Sequence, residues 1–196
     1  MGRSCPQEKD GLLLMLDNFY YHWEGIIPKE YCDLILKNVD WDQKTTAKVG
    51  NSLTEPGVEN EKLRNTDIVW LDQLTPVGCI LKSYIDTANI VCGWNYDYHG
   101  MENVQIGRYN ENGHYTWHRD TANPINGFQR KLSISLLLND PSDFDGGELE
   151  FRDVPSPKLK QGSVLVFPSF LEHKVTSVTK GVRYSAVSWV VGPTFK

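Results

Sequence analysis

Three side chains in the second half of the chain have the types and the spacing to hold one metal ion. His118 and Asp120 are separated by a single residue, and His173 follows near the start of a later predicted strand. Alternate residues of a β-strand point to the same face, so the imidazole and the carboxylate can reach one ion. Two histidines and one carboxylate that occupy one face of an octahedron leave three positions open, a set typical of non-haem Fe(II) oxygenases.

Arg183 and Ser185 offer a second chemical function close to this predicted metal site. Arg183 lies on the predicted strand that follows His173, and Ser185 shares its strand face. A guanidinium binds a carboxylate through two parallel hydrogen bonds, which a lysine ammonium cannot copy. A dicarboxylate that chelates iron at one end needs such a clamp at the other end, and the Ser185 hydroxyl can bind the same carboxylate.

Each of these residues also has an ordinary structural interpretation. An isolated His-x-Asp is usually surface polarity, a single histidine is usually a hydrogen-bonded core residue, and Arg183 by itself would form a salt bridge. A cupin-like metal- or sugar-binding module without turnover would explain the histidines and the aspartate, but it gives no role to Arg183. A catalytically inactive oxygenase that serves as a protein-binding scaffold would need none of the ligands. The combination therefore favours an oxygenase.

Short β-strands must position these side chains. Apolar or alternating runs separated by Gly, Asn and Pro turn signals predict seven strands, which are Val104–Tyr109, Tyr115–His118, Lys131–Leu138, Gly147–Phe151, Ser163–Phe167, His173–Ser177 and Val182–Val190. Many short strands at this spacing are typical of a jelly roll or a sandwich rather than of alternating βαβ units.

The first hundred residues predict helices instead. One helix begins at Pro28 and has an apolar face formed by Tyr31, Leu34 and Ile35. A second helix begins near Thr75-Pro76 and has an apolar stripe formed by Ile80, Leu81, Tyr84, Ile85 and Ala88. A polar loop, Thr45–Asn65, and a strand, Ile68–Leu71, lie between them. We expect one domain over residues 1–196, in which residues 1–100 form a helical support with a substrate loop and residues 101–196 form a catalytic β-core.

Composition restricts the class of protein. The chain has 196 residues, of which 40% are hydrophobic and 23% charged, with a net charge of −5. This balance is typical of a globular protein, and it disfavours a nucleic-acid-binding surface, which needs clustered Lys and Arg. No CxxC pair occurs among the cysteines, and the apolar run near the N-terminus is too short to span a bilayer. We therefore expect a soluble, intracellular, cytoplasmic protein with reduced thiols at Cys5, Cys32, Cys79 and Cys92.

Three ordered blocks of the sequence resemble the prolyl 4-hydroxylase-like branch of the Fe(II)/2-oxoglutarate-dependent oxygenases, and PKHD-type hydroxylases in particular. The blocks are Tyr109–Asp120, Leu138–Pro141 with Asp145–Leu149, and Gly162–Pro168 with His173–Val175 and Gly181–Tyr184. The resemblance is dense over residues 103–192 and thinner upstream, where Arg64 and Ile68–Trp70 are similar to a strand that carries a substrate loop. It implies a mainly β fold with some α, a double-stranded β-helix (jelly roll) with N-terminal supporting helices.

The resemblance also implies roles for individual residues. His118, Asp120 and His173 would bind Fe(II), and Arg183 would bind the far carboxylate of 2-oxoglutarate. Tyr109, Ser185 and Tyr115 are further candidates beside the cosubstrate, although core packing would also explain the two tyrosines. The substrate pocket and its lid would include Trp189, Arg64, Thr121 and Asn123. Two loops, Thr45–Asn65 and Thr121–Arg130, are the candidate lids.

The implied reaction is hydroxylation of a substrate C–H bond with O₂ and 2-oxoglutarate, which releases succinate and CO₂, with ascorbate as the expected reductant. Asp120 supports hydroxylation, since halogenating relatives have a small residue there. A prolyl residue in a peptide or protein is the leading substrate, while a free amino acid or a small metabolite remains an alternative. No nucleic acid or membrane partner is expected, and the sequence leaves the oligomeric state open.

Three positions distinguish this sequence from particular branches of the family. Leu136–Leu138 occupies the strand on which oxygen-sensing prolyl hydroxylases carry a tyrosine that helps to hold 2-oxoglutarate. Arg183 stands where the collagen-modifying branch carries a lysine. Trp189 stands where nucleic-acid demethylases carry a second arginine, so that branch is disfavoured.

Overall fold

The computed structural model describes residues 19–48, 57, 59–121 and 127–194. In chain order its elements are β1 (Tyr21–Trp23), α1 (Lys29–Lys37), β2 (Thr45–Thr46), β3 (Arg64–Asn65), β4 (Asp67–Leu71), α2 (Pro76–Val91), β5 (Gly100–Met101), β6 (Val104–Tyr109), β7 (His114–His118), β8 (Phe128–Leu137), β9 (Phe144–Gly146), β10 (Leu149–Phe151), β11 (Val164–Pro168), β12 (His173–Val175), β13 (Val178–Gly181) and β14 (Arg183–Pro193). Two 3-10 turns, Trp41–Gln43 and Pro141–Asp143, connect some of them.

Two antiparallel sheets form the body of the protein. The larger sheet has eight strands in the order β1-β11-β8-β14-β6-β4-β2, with β5 paired to the end of β14. The smaller sheet has the order β10-β12-β7-β3, and β13 pairs with β9 beside it. Phe151 and Val175 of the smaller sheet pack with Leu165 and Phe167 of the larger one, so the two sheets face each other. The prediction of a mainly β jelly roll is confirmed.

Both helices pack on the outer face of the larger sheet. Their buried side chains share one hydrophobic core with the sheet's outward-pointing residues, among them Leu132, Ile134 and Leu136 of β8. Pro76 occupies the first turn of α2, where a missing N–H costs nothing. The predicted apolar stripe of α2 is present. Leu81, Ile85 and Ala88 are buried, and Ile80 and Tyr84 pack at the edge of the core. The supporting role expected of the helices is therefore confirmed.

The predicted apolar face of α1 is partly wrong. Cys32 and Ile35 are buried, but Leu34 is 51% exposed. Leu34 lies about 100° around the helix from Ile35. A nine-residue helix with apolar side chains on several sides has more than one possible stripe, and contact with the sheet selects the one through Cys32 and Ile35.

The two predicted lid loops are shorter than the sequence indicated. Thr45–Thr46 pairs with β4, and Arg64–Asn65 pairs with β7. The strand β8 already begins at Phe128, because Phe128 and Gln129 pair with Pro193 and Gly192 of β14. These partners are distant in the sequence, so local turn signals do not reveal them. Residues 49–56, 58 and 122–126, which fall within the two predicted loops, lie outside the described residues.

The described cysteines agree with the prediction of reduced thiols. Cys32 and Cys92 are buried, Cys79 is exposed, and all three are free thiols. Cys5 lies outside the described residues. Within the described ranges, no helix has both the length and the apolar character that a membrane span requires.

Candidate metal and cosubstrate site

A cavity of about 720 Å³ opens between the two sheets. Side chains of a strand alternate between its two faces, so every second residue of the large sheet points away from the helices and toward this cavity. On β8, Ser133 and Ser135 line the cavity while their neighbours Leu132 and Ile134 contribute to the core under the helices. The wall contributed by β6 and β14 consists of Gln105, Tyr109, Arg183, Ser185, Val187 and Trp189.

The three predicted metal ligands lie together at one side of this cavity. His118 ends β7 and His173 begins β12, and their Cα atoms are direct partners in the antiparallel pairing of these strands. Asp120 lies two residues beyond β7, in a bend rather than on the strand that the spacing argument assumed. One potential ligand atom from each residue lies within 4.8 Å of the other two.

Backbone contacts orient both imidazoles for metal binding. Nδ1 of His118 is 2.8 Å from the carbonyl oxygen of Thr116, and Nδ1 of His173 is 2.9 Å from that of Leu171. With the Nδ1 proton donated to a carbonyl, each ring presents the lone pair of Nε2. These Nε2 atoms are 3.6 and 3.5 Å from the two carboxylate oxygens of Asp120. The donor atoms therefore converge on one point.

The charge states also fit a divalent metal. Burial opposes ionisation of Asp120, but the neighbouring His173 and His118 overcome it and hold the pKa of that carboxyl well below its usual value. Burial lowers the pKa of His173, which favours the neutral imidazole that a metal requires. Two imidazoles and one carboxylate are a donor set suited to Fe(II). The residues present thus fit the metal that the sequence implied.

Arg183 lies in the same cavity and has no acidic partner in the described part of the chain. It is 2% exposed, and among the described residues no carboxylate lies within ion-pair distance of it. Its Nη1 donates a 3.1 Å hydrogen bond to Oγ of Ser185, and its guanidinium carbon lies 5.2 Å from the ring centre of Tyr109. Burial lowers the pKa of Arg183. In the described structure Arg183 therefore does not form an ordinary salt bridge. Its guanidinium has the geometry to bind the carboxylate of a ligand through two hydrogen bonds.

Gly147 makes room for this arginine. Its φ of +66° is a left-handed conformation, and an added Cβ would lie 2.9 Å from Cδ of Arg183. A residue other than glycine would push the guanidinium out of place.

The other predicted site residues line the same cavity where the structure describes them. The ring of Tyr115 stacks on His118 with 3.4 Å between centroids, and the guanidinium of Arg64 lies 4.6 Å above Tyr115. Trp189 packs under Arg130, and Thr121 donates its backbone N–H to the carbonyl of Ser169. Asn123 lies outside the described residues.

Two contacts at the cavity were not predicted. Ser133 donates a 2.7 Å hydrogen bond to Oδ2 of Asp120, and Glu102 forms two 2.6 Å hydrogen bonds with Arg130. The alternation of Ser133 and Ser135 with leucine and isoleucine in β8 is a sequence signal that could have found the first contact. The second contact joins the connection between β5 and β6 to β8, and no local sequence pattern predicts it.

Comparison with known families agrees with this geometry. Residues 104–191, which carry both histidines, the aspartate and Arg183, match the 2OG-Fe(II) oxygenase superfamily. This part of the chain is therefore similar to that superfamily. The resemblance to its prolyl 4-hydroxylase-like branch is likewise confirmed.

The curated relatives that match this segment are named PKHD-type hydroxylases. One from Idiomarina loihiensis is 40% identical over 90 residues, which are 44% of this chain and 41% of the relative. Another from Picosynechococcus is 42% identical over 93 residues, 46% of this chain and 42% of the relative. YbiX of Escherichia coli is 38% identical over 99 residues, 47% of this chain and 44% of the relative. The matched segment thus spans less than half the length of these relatives.

Solved structures share the fold over most of the chain. The viral collagen prolyl hydroxylase of Paramecium bursaria Chlorella virus-1 superimposes with a TM-score of 0.68 at 20% identity, covering 89% of this chain and 97% of the viral protein. A Pseudomonas putida prolyl-4-hydroxylase gives a TM-score of 0.65 at 18% identity, covering 88% and 91% of the two chains. The jelly-roll fold is therefore shared beyond the segment with sequence similarity.

Proposed function

We propose that this chain is an Fe(II)- and 2-oxoglutarate-dependent dioxygenase that hydroxylates a prolyl residue of a peptide or protein. The observation that carries the proposal is the position of Arg183. A buried guanidinium that has no acidic partner among the described residues shares one cavity with two oriented imidazoles and a carboxylate. A dicarboxylate cosubstrate would chelate the metal at one end and bind Arg183 at the other end.

In this proposal His118, Asp120 and His173 hold Fe(II), which together with O₂ and 2-oxoglutarate supplies the oxidising power for C–H hydroxylation. Arg183 binds the far carboxylate of 2-oxoglutarate, with Ser185 and Tyr109 at its sides. Ser133 holds the Asp120 carboxylate through its hydroxyl. The stacked ring of Tyr115 covers one face of His118 and keeps water from it.

A prolyl substrate has support from the relatives rather than from the pocket. The curated relatives are named hydroxylases, and the structures with the same fold are described as prolyl hydroxylases, one of them in complex with a hypoxia-inducible factor peptide from Trichoplax adhaerens. Fold likeness alone does not transfer a substrate. Free amino acids and small metabolites are the competing substrates.

A metal-binding module without turnover is the rival function. It would use the same histidines and aspartate, but it would leave Arg183 buried without a counter-ion, at a cost of several kcal/mol. A visible charge-transfer band on adding 2-oxoglutarate to the anaerobic Fe(II) protein would favour the oxygenase. Arg183→Ala should weaken that band, whereas Arg108→Ala, which removes an arginine that is paired with Asp67 outside the cavity, should not.

The decisive experiment measures succinate release with Fe(II), 2-oxoglutarate and ascorbate, which we propose as the reductant. Peptide pools that contain proline are compared with matched pools that contain alanine, and the products are weighed by mass spectrometry. Succinate together with one added oxygen only in the proline pools would support the proposal. Equal slow succinate release from both pools would exclude the prolyl substrate. Absence of succinate from the iron-loaded protein would exclude the oxygenase.

The free thiols support a reducing compartment, and we propose a cytoplasmic location on that ground. Peptide or protein partners follow from the proposed substrate.

A further inference from the structure

Arg64 is a second buried guanidinium in the cavity, and the proposed chemistry at the metal does not explain it. It is 8% exposed and lies on β3, where its Cα pairs with that of Tyr115. Its Nη2 donates a 2.5 Å hydrogen bond to Oε1 of Gln105, while its buried Nε has no hydrogen-bond partner within the described ranges. Among the described residues no carboxylate lies within ion-pair distance of Arg64.

Other arginines of the same region are paired. Arg130 forms two hydrogen bonds with Glu102, and Arg108 forms an ion pair with Asp67. Arg183 is accounted for by the far carboxylate of 2-oxoglutarate in the proposed function. Because burial of an unpaired charge is costly, an anion that enters the cavity and binds Arg64 would recover lost electrostatic energy. Arg64 is therefore a candidate for binding an anionic ligand.

The position of Arg64 relates this site to the metal. Tyr115 contacts the Arg64 guanidinium through its ring and stacks on His118, so a single aromatic ring contacts both the arginine and a proposed metal ligand. Gln105 holds the guanidinium through its oxygen, and its amide nitrogen can donate to a bound ligand. A group bound to Arg64 would lie within the same cavity as the proposed metal ligands.

The charge of the cavity wall also favours an anionic ligand. The whole chain has a net charge of −5, yet Asp120 is the single acidic residue among the described side chains that line the cavity. The cationic side chains that line it are Lys48, Arg64, Arg119, Arg130 and Arg183. Cationic side chains therefore outnumber acidic ones in this concave wall, which favours the binding of anionic ligands.

We propose that Arg64, assisted by Gln105, binds a carboxylate of the substrate that is hydroxylated. The proposal deepens the proposed function and rests on it, because it assigns a specificity-determining residue to the same cavity. The carboxylate belongs either to an acidic residue next to the target or to the free C-terminus of the target residue. Both sources present the two oxygens that a guanidinium fork binds.

The test measures peptide binding by calorimetry to the Mn(II)-loaded protein with 2-oxoglutarate, in the absence of O₂. One peptide pair is acetyl-Ala-Ala-Pro-Asp-Ala-amide against its Asn counterpart, and the other is acetyl-Ala-Ala-Pro with a free acid against its amide. Wild-type protein should bind the charged member of one pair about tenfold more tightly or better. The pair that discriminates identifies the source of the carboxylate.

Three variants separate binding from packing. Arg64→Met keeps an apolar chain on Tyr115 and should reduce the charged-over-neutral preference to within about twofold, since the charge-assisted hydrogen bonds are lost. Arg64→Glu should reverse the preference, toward the neutral member and toward a Lys peptide. Arg108→Met removes a guanidinium that packs on Trp41 outside the cavity, and it should keep the wild-type preference.

Three results would overturn the proposal. They are the absence of any charge preference in wild type, an unchanged preference in Arg64→Met, and an equal weakening of both members by Arg64→Met, as expected if Arg64 only positions Tyr115. Succinate release tests the other proposal independently. A retained carboxylate preference without succinate from any peptide would leave the Arg64 site standing and remove the hydroxylase.

Discussion

The hydroxyl of Ser133 donates a 2.7 Å hydrogen bond to Oδ2 of Asp120, and Oγ of Ser169 lies 2.9 Å from Oγ of Ser133. This chain of hydroxyls holds the proposed carboxylate ligand from behind. Such contacts orient metal ligands and tune their affinity.

Ser133→Ala should therefore weaken Fe(II) or Mn(II) binding by about 10- to 100-fold, a range typical of lost outer contacts to a metal ligand. Competition with a chelator of known affinity measures the effect. Ser135→Ala is the matched control, because Ser135 lies on the same face of β8 without a hydrogen bond to Asp120 in the described structure. Equal metal affinity of the Ser133 variant and wild type would show that Asp120 needs no such support.

Gly147→Ala should lower the affinity for 2-oxoglutarate by about tenfold or more, because misplacement of a binding group by about 1 Å is costly. The added Cβ would lie 2.9 Å from Cδ of Arg183 and displace the guanidinium. Gly93→Ala is the control, since Gly93 has the same φ of +66° but nothing within 4 Å of its added Cβ. Both variants share the backbone strain, so titration of the Fe(II) charge-transfer band with 2-oxoglutarate isolates the contact with Arg183. Indistinguishable titrations would remove Arg183 from the cosubstrate site.

Glu102→Gln should destabilise the fold by about 2 kcal/mol, the lower end of the range for hydrogen-bonded charge pairs. Loss of the Glu102 charge leaves the guanidinium of Arg130 without its counter-ion. This guanidinium packs 3.7 Å from the ring centre of Trp189. We choose the lower end because Arg130 and Glu102 keep 24% and 31% of their side-chain surfaces exposed. Urea unfolding measures the change, and Glu150→Gln, which breaks a more exposed pair with Lys174, should cost less than about 1 kcal/mol.

His22 should make stability depend on pH. Burial lowers its pKa below the usual value, although Glu24 partly opposes this, and its Nε2 has no hydrogen-bond partner. The unfolded chain therefore binds the proton more readily than the folded one, so stability is lost as pH falls through 6.5 toward the lower folded pKa. Urea unfolding at pH 7.5 and pH 5.5 should show a smaller loss for His22→Gln than for wild type. An equal loss in both proteins would place the effect elsewhere.

Local patterns were sufficient for the strands that matter to the site. Val104–Tyr109 was predicted with the bounds that β6 has, and the predicted strands around His118, His173 and Arg183 correspond to β7, β12 and β14. These strands are predictable because alternation and turn residues act over a few neighbouring residues. Short strands such as β1 and β13 were missed, since their partners, and not their own sequences, make them strands.

The types and order of His118, Asp120, His173 and Arg183 are properties of the sequence and predicted an iron oxygenase, while the spacing of the short strands predicted the jelly roll. The tertiary structure alone decided that Ser133 supports Asp120, that Glu102 neutralises Arg130, and that Arg64 has no acidic partner in the described structure. Pairing of charges inside a cavity depends on which strands become neighbours. That choice is made by burial of the whole core and by hydrogen bonding between distant segments, which no window of the sequence contains.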